Sequence, residues 1–218
     1  MGRTKKQATS PSGTDAVLPA ARERILAAAR ERFYSCGYQA ASMASIAKLA
    51  QMTTPNVYWH FPSKQDLLGE VLDEVYVAFQ EQLERAVPTD ASPVNRLRAY
   101  VRVYVLLQLQ TTVYDQRHGY NNLAMALTED ARERLVEHRR RIHGMLRDII
   151  GQGTAEGTFA VDNMTLAVAA IETSCEYVFV WYRRDGPLSV DDVADGYVEA
   201  ALRIVGSRET GSGTGPRP

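Results

Sequence analysis

Thr54, Pro55, Asn56, Tyr58, Trp59 and His60 fall within seven consecutive positions, and Lys64 follows four residues later. Amide, hydroxyl, phenol, indole and imidazole groups offer hydrogen bonds and flat apolar faces, and the lysine adds a positive charge. This is a chemistry of recognition rather than of bond making, and it suits a polyanion. Asparagine can pair with the N6/N7 edge of adenine, and threonine or proline can touch a thymine methyl. Tyrosine, histidine and lysine can reach phosphate oxygens. Groups for covalent chemistry are not assembled: no Gly-x-Ser-x-Gly, His-Glu-x-x-His, phosphate loop or dinucleotide fingerprint occurs. Glu172 and Glu176 stand four apart without an accompanying nucleophile or metal cluster, so they read as a polar stripe near a pocket or subunit contact. His60 has no ligand-spaced partner, so no metal or other cofactor is expected, and Cys36 and Cys175 read as ordinary thiols.

The elements that must position these groups are helices. Ile25, Ala28, Ala29 and Phe33 recur at helical spacing and predict a helix over about 20–36, ended by Gly37. Ser42 is the N-cap of a second helix bearing Met43, Ile46, Ala47 and Ala50 on one face. After a break at Gln51-Met52, Thr53 caps a third, about Thr54 to His60, stopped by Phe61-Pro62. Val57 and Phe61 face inward there, leaving Thr54, Asn56, Tyr58, Trp59 and His60 outward. Two large exposed aromatics on so short a helix call for a covering partner. Ser63 with Asp66 caps a fourth helix striped by Leu67, Leu68, Val71, Leu72, Val75 and Phe79. Two short capped helices joined by a tight turn form a helix-turn-helix, whose second helix lies in a DNA major groove.

Beyond the polar segment Pro88 to Pro93, helices are expected over about 94–112, near 117–127, and over about 129–151, 163–184 and 189–205. The Gly151–Gly157 stretch reads as a helix stop, Ser189 as an N-cap and Gly206 as a terminator. The fold class is all-α, with about nine helices. A flexible basic arm (1–18, with Arg3, Lys5 and Lys6) precedes a helix-turn-helix domain (19–65) and a larger helical domain (66–206). Residues 207–218 read as a disordered tail.

The 218 residues include 25 Lys and Arg against 26 Asp and Glu, with 45% hydrophobic residues. That near-balance excludes a wholly basic nucleic-acid coat and an acidic disordered chain. Charge is unevenly spread: residues 1–70 hold nine bases against five acids, and the rest sixteen against twenty-one. A basic head on an acidic body fits a head that meets a polyanion. No spanning segment or secretory leader is read, so the expected location is the cytoplasm.

Ile46-Ala47-Lys48-Leu49-Ala50, followed by Val57-Tyr58-Trp59-His60-Phe61-Pro62-Ser63-Lys64-Gln65-Asp66-Leu67-Leu68, resembles the DNA-binding region of the tetracycline-repressor (TetR) family. The likeness extends over about 20–205. One departure lies in the turn, where the family usually has glycine and this chain has Gln51. The resemblance implies that Thr54, Pro55 and Asn56 read bases. It implies that Tyr58, His60 and Lys64 contact phosphates and that Trp59 packs on the sugar-phosphate or a base. Ser42 and Thr53 either touch phosphate as well as capping, or cap only. It also implies a homodimer on a palindromic double-stranded operator, with Ile171, Val178, Trp181, Tyr197 and Ala201 at the subunit contact.

The larger domain would then enclose an effector chamber. Its candidate polar contacts are Tyr100, Tyr104, Gln108, Asn121, Asn122, His143, Glu172 and Tyr177. The run Trp181-Tyr182-Arg183-Arg184-Asp185-Gly186-Pro187-Leu188-Ser189 is similar to a TetR subgroup that regulates fatty-acid or steroid breakdown and responds to acyl-CoA thioesters. In that reading Arg139, Arg140 and Arg141, or Arg183 and Arg184, receive the CoA phosphates. A ligand-released repressor is the function expected. An aromatic or drug-like effector, an activator, a helical enzyme acting on acyl-CoA and a purely helical interaction module are the alternatives.

Overall fold

A computed structural model describes residues 13–110, 123 and 125–207, with side chains from residue 20. Among the described residues there are nine helices and no strand. Residues 1–12 of the expected arm (with Arg3, Lys5 and Lys6), most of the 117–127 segment, Asn121 and Asn122, and the tail from 208 lie outside them. Contacts divide the chain into two compact units, with the division between Val71 and Leu72.

The first unit holds α1 (Gly13–Ala40), α2 (Met43–Leu49), α3 (Thr54–His60) and the start of α4 (Lys64–Ala86). α1 begins at Gly13, within the segment expected as an arm (1–18), rather than near residue 20. Its course breaks at Gly37, whose φ of 78° is open to glycine and costly for other residues. Ile25, Leu26, Ala29, Ile46, Ala47, Val57, Phe61, Leu67 and Leu68 form the core of this unit. Ser42 and Ser45 exchange side-chain and backbone bonds in a capping box. The Thr53 hydroxyl accepts from Asn56 N–H at 3.4 Å, and Ser63 Oγ accepts from Asp66 N–H at 3.1 Å. Gln51 sits at φ 57°, the left-handed geometry that the turn requires.

The second unit holds the rest of α4, α5 (Pro93–Gln110), α6 (Glu129–Ala155), α7 (Met164–Glu176), α8 (Val178–Trp181) and α9 (Val190–Ile204). α5 is central, packing against α6, α7, α8 and α9. Tyr100, Val101, Leu146, Ile149, Ile171, Val178, Ala194 and Leu202 are buried in its core. No described helix is long and apolar enough to cross a membrane.

Two elements depart from the sequence expectation. α6 does not stop near 151 but runs to Ala155, through Gly151 and Gly153, and the turn comes at Gly157, φ 73°. Gly153 is needed for close packing, since a Cβ there would stand 2.1 Å from the Phe159 ring. The helix expected over 163–184 ends at Glu176. Tyr177 (φ −97°, ψ 11°) leaves the helical path, and the single turn of α8 follows. Ile171, Cys175, Val178 and Tyr182 all stay buried across this break, so the core stripe is preserved while the backbone is rotated.

Candidate functional site

α3 is a small helix with two unlike faces. Val57 is fully buried and Phe61, its C-cap, nearly so, which fixes the helix on the core of the first unit. The opposite side presents Trp59, 69% exposed, and Tyr58, 48% exposed, with Pro55 and Asn56 beside them. His60 and Thr54 are half-buried, and the His60 ring meets the Trp59 ring edge-on at 4.7 Å. The Ser42 and Thr53 hydroxyls cap α2 and α3 and remain exposed. Lys64 is placed differently from an outward-pointing lysine. Its Nζ donates to the carbonyl oxygens of Tyr38 at 2.8 Å and Ala41 at 2.9 Å.

The second unit contains a cavity of about 50 Å³. Val75, Tyr76 and Phe79 of α4, Tyr104 and Gln108 of α5, and Ile142 of α6 supply much of its wall, which Tyr177 and Phe179 complete. Arg139, Glu172 and Glu176 are its charged lining. Glu172 accepts from the Tyr100 hydroxyl at 3.3 Å and pairs with His143 Nδ1 at 2.9 Å. Glu176 pairs with the rim residue Arg139 at 3.5 Å. Burial raises the Glu176 carboxyl above its ordinary range; Arg139 draws it back, and Glu172 pushes it further up. Burial, then Glu176 and Glu172, hold the Tyr104 phenol well above its usual range. Burial and Glu172 do the same for Tyr100.

Tyr177 and Phe179 line the same cavity with rings stacked 6.4 Å apart. Residues two apart on a regular helix point in nearly opposite directions, so it is the break at Tyr177 that brings both to one wall.

Residues 25–71 match the family of bacterial regulatory proteins, tetR family, and residues 90–205 match the tetracyclin repressor-like C-terminal domain. The chain belongs to the TetR family. It is a DNA-binding transcriptional regulator, not an enzyme. The HTH-type transcriptional repressor KstR2 of Mycolicibacterium smegmatis is 27% identical over 176 residues, spanning 78% of this chain and 83% of that protein. A bacterial regulatory protein of the tetR family from Rhodococcus RHA1 superposes with a TM-score of 0.77 at 28% identity, covering 86% of this chain and 97% of that one. AibR, solved with isovaleryl coenzyme A and operator DNA, shares the fold at a TM-score of 0.70 and 24% identity, covering 83% and 97%.

In this TetR-family regulator, Tyr104, Gln108, Glu172 and Tyr177 of the expected chamber contacts line the cavity. Tyr100 does not: it is fully buried, with its hydroxyl on Ile142 O and Glu172. His143 faces an outer cleft with Val136, Arg139 and Arg140. Asn121 and Asn122 lie outside the described residues. Tyr76 and Phe179 also line the cavity, and neither stands out in the sequence, where a ring on an apolar helix face looks like any core residue.

The expected subunit contact needs a larger correction. Ile171, Val178 and Ala201 are buried in the protomer's own core and cannot reach a partner. α7 turns Ala167, Val168, Ile171 and Cys175 inward, leaving Leu166, Ala169 and Ala170 exposed on the other side. Trp181 is 47% exposed and Tyr197 half-buried, and the indole N–H donates to the Tyr197 hydroxyl at 2.9 Å.

Proposed function

We propose that this regulator is a homodimeric repressor whose paired α3 helices bind a palindromic operator and whose cavity takes the acyl part of an acyl-CoA thioester. The observation that carries the DNA contacts is the exposed Trp59–Tyr58 face on a helix anchored by buried Val57. Pro55 and Asn56 stand where a recognition helix meets base edges, and Trp59, Tyr58 and His60 can meet the backbone. Lys64 acts chiefly by holding the segment that leads into α2. One recognition helix reads too few base pairs, whereas two spaced by a helical turn read a palindrome. Exposed Leu166, Val180, Trp181 and Ile204, with the small Ala169 and Ala170, support pairing of two copies through α7, α8 and α9.

Support for a thioester comes from the apolar and aromatic wall and from the likeness in fold to AibR, which was solved with isovaleryl coenzyme A. A cavity of about 50 Å³ is well short of the ~300 Å³ or more that ligand sites occupy. An effector therefore binds a rearranged body, and its preference for that state shifts the population away from the DNA-binding one. The five rings of Tyr76, Phe79, Tyr104, Tyr177 and Phe179 favour a second reading, a planar aromatic effector.

Fluorescence anisotropy on DNA from upstream of the protein's own gene, with and without acyl-CoA thioesters, tests the reading. Release by a thioester but not by free CoA is expected. Release only by planar aromatic compounds would transfer the site to the second reading. Failure to select any sequence from a random DNA pool would overturn the DNA contacts.

A further inference from the structure

The charged lining of the cavity sets a condition on what enters it. Among the described lining residues, two carboxylates, Glu172 and Glu176, face a single guanidinium, Arg139. Both glutamate side chains are about four-fifths buried, at 19% and 20% exposure, whereas Arg139 is 54% exposed and already joined to Glu176 at 3.5 Å. Glu172 holds its place through Tyr100 and His143, at 3.3 and 2.9 Å, and is not free to swing out for a second anion. The geometry points to a charge filter: Glu172 and Glu176 make the chamber accept a neutral head group, such as a thioester carbonyl or a hydroxyl, and reject a free carboxylate carrying the same apolar chain.

The chamber's own phenol reports the same bias. The Tyr104 hydroxyl is held in its neutral form by burial and by both glutamates. A carboxylate entering beside it meets the same low-dielectric wall and the same like charges. The hydroxyls and amide of the wall can donate to it, but the one cation among the described lining residues is Arg139, and taking it from Glu176 would leave a mostly buried carboxylate without that partner. A neutral carbonyl or hydroxyl meets no such penalty, and a hydroxyl can donate to either glutamate. The filter rests on the effector reading above and gives it a chemical consequence. A regulator built this way answers to the neutral thioester and ignores the free acid.

The test uses the full chain and octyl probes that differ only in head group: octanol, octanoate and the octanoyl thioester of N-acetylcysteamine, which lacks the CoA phosphates. Binding is read by the shift in melting temperature and by titration calorimetry at neutral pH. Octanol and the thioester are expected to bind, with octanoate about ten-fold or more weaker, the scale of one pKa unit of like-charge interaction. Glu176→Gln keeps the shape and removes one charge. It should narrow the gap between octanoate and octanol, and Glu172→Gln should act in the same direction. Octanoate binding the natural chain as tightly as octanol would overturn the filter, as would a gap untouched by both substitutions. If no octyl probe binds, the effector cavity itself falls, and the filter with it.

Discussion

The ammonium of Lys64 donates to the carbonyl oxygen of Tyr38 at 2.8 Å and stands 4.3 Å from the centre of the same residue's ring. A second bond, to Ala41 O at 2.9 Å, closes a clamp over the segment that follows the Gly37 break and delivers the chain to the Ser42 cap. A lysine that resembles a phosphate contact by its place after α3 is thus a structural tie, with two of its three donors used internally. Hydrogen bonds to a charged group contribute about 1.5–3 kcal/mol each. Lys64→Met removes two such bonds and should destabilise the first unit by about 3–6 kcal/mol in urea unfolding. A lysine serving phosphate alone would leave stability unchanged and lower only the salt dependence of DNA binding.

Gln51 occupies the helix-turn-helix turn at φ 57°, where the TetR resemblance leads one to expect glycine. The left-handed region costs a residue with a Cβ about 1–2 kcal/mol. Glycine removes that strain but widens the unfolded ensemble, which takes back part of the gain. Gln51→Gly should stabilise the chain by up to about 1 kcal/mol, seen as a higher urea midpoint at constant slope.

How much of this was legible depends on where the signal lies. Ser42, Thr53, Ser63 and Ser189 announce helix starts through local chemistry, and each does cap. Val57 and Trp59 sort by helical period, and they do face opposite ways. By contrast, Gly153 resembles a helix stop, because nothing local says that Phe159 will pack where its Cβ would be. The break at Tyr177 has no proline, glycine or side-chain cap to mark it; the packing of the second unit imposes it. Tyr177 and Phe179 therefore share a wall that the helical period alone would separate. Ile171 and Leu166 are equally apolar, so composition cannot decide which faces the core and which faces out.

The Gly153 position makes its own prediction. Alanine is the better helix former by about 1 kcal/mol, so an exposed glycine would gain from the change. Here the new methyl would meet the buried Phe159 ring, and overpacking of this kind costs about 1–3 kcal/mol. Gly153→Ala should lower the melting temperature, and adding Phe159→Leu should recover part of the loss in the double variant.

Trp59 is the sharpest separation of stability from function. Its side chain is 69% exposed, and its one described ring contact is the edge-on meeting with His60. Trp59→Ala should leave the urea midpoint within about 0.5 kcal/mol of the natural chain, the usual range for surface changes. If it packs on DNA, operator affinity should fall about ten-fold or more, the equivalent of a ~1.4 kcal/mol contact. Equal affinity of both chains for operator would remove Trp59 from the interface.

Alkaline stability follows from the core of the second unit. Burial pushes the Cys175 thiol up to about 12 and raises the Tyr100 and Tyr104 phenols well above their ordinary range. Each group is neutral when protonated, so each keeps its proton in the folded chain at a pH where the unfolded chain has released it. Stability then falls as pH rises wherever the folded state binds more protons. The contribution of Cys175 is complete below the ordinary thiol value of 9.0 and is lost between there and about 12. The tyrosines act in the same direction from the ordinary phenol value of 10.0 upward. Urea midpoints should hold steady from pH 7 to about 8.5 and drop steeply above it. Cys175→Ala should flatten the first part of that drop and Tyr104→Phe the later part. A midpoint that stays level to pH 11 would show that these groups titrate in the folded chain as they do in the unfolded one.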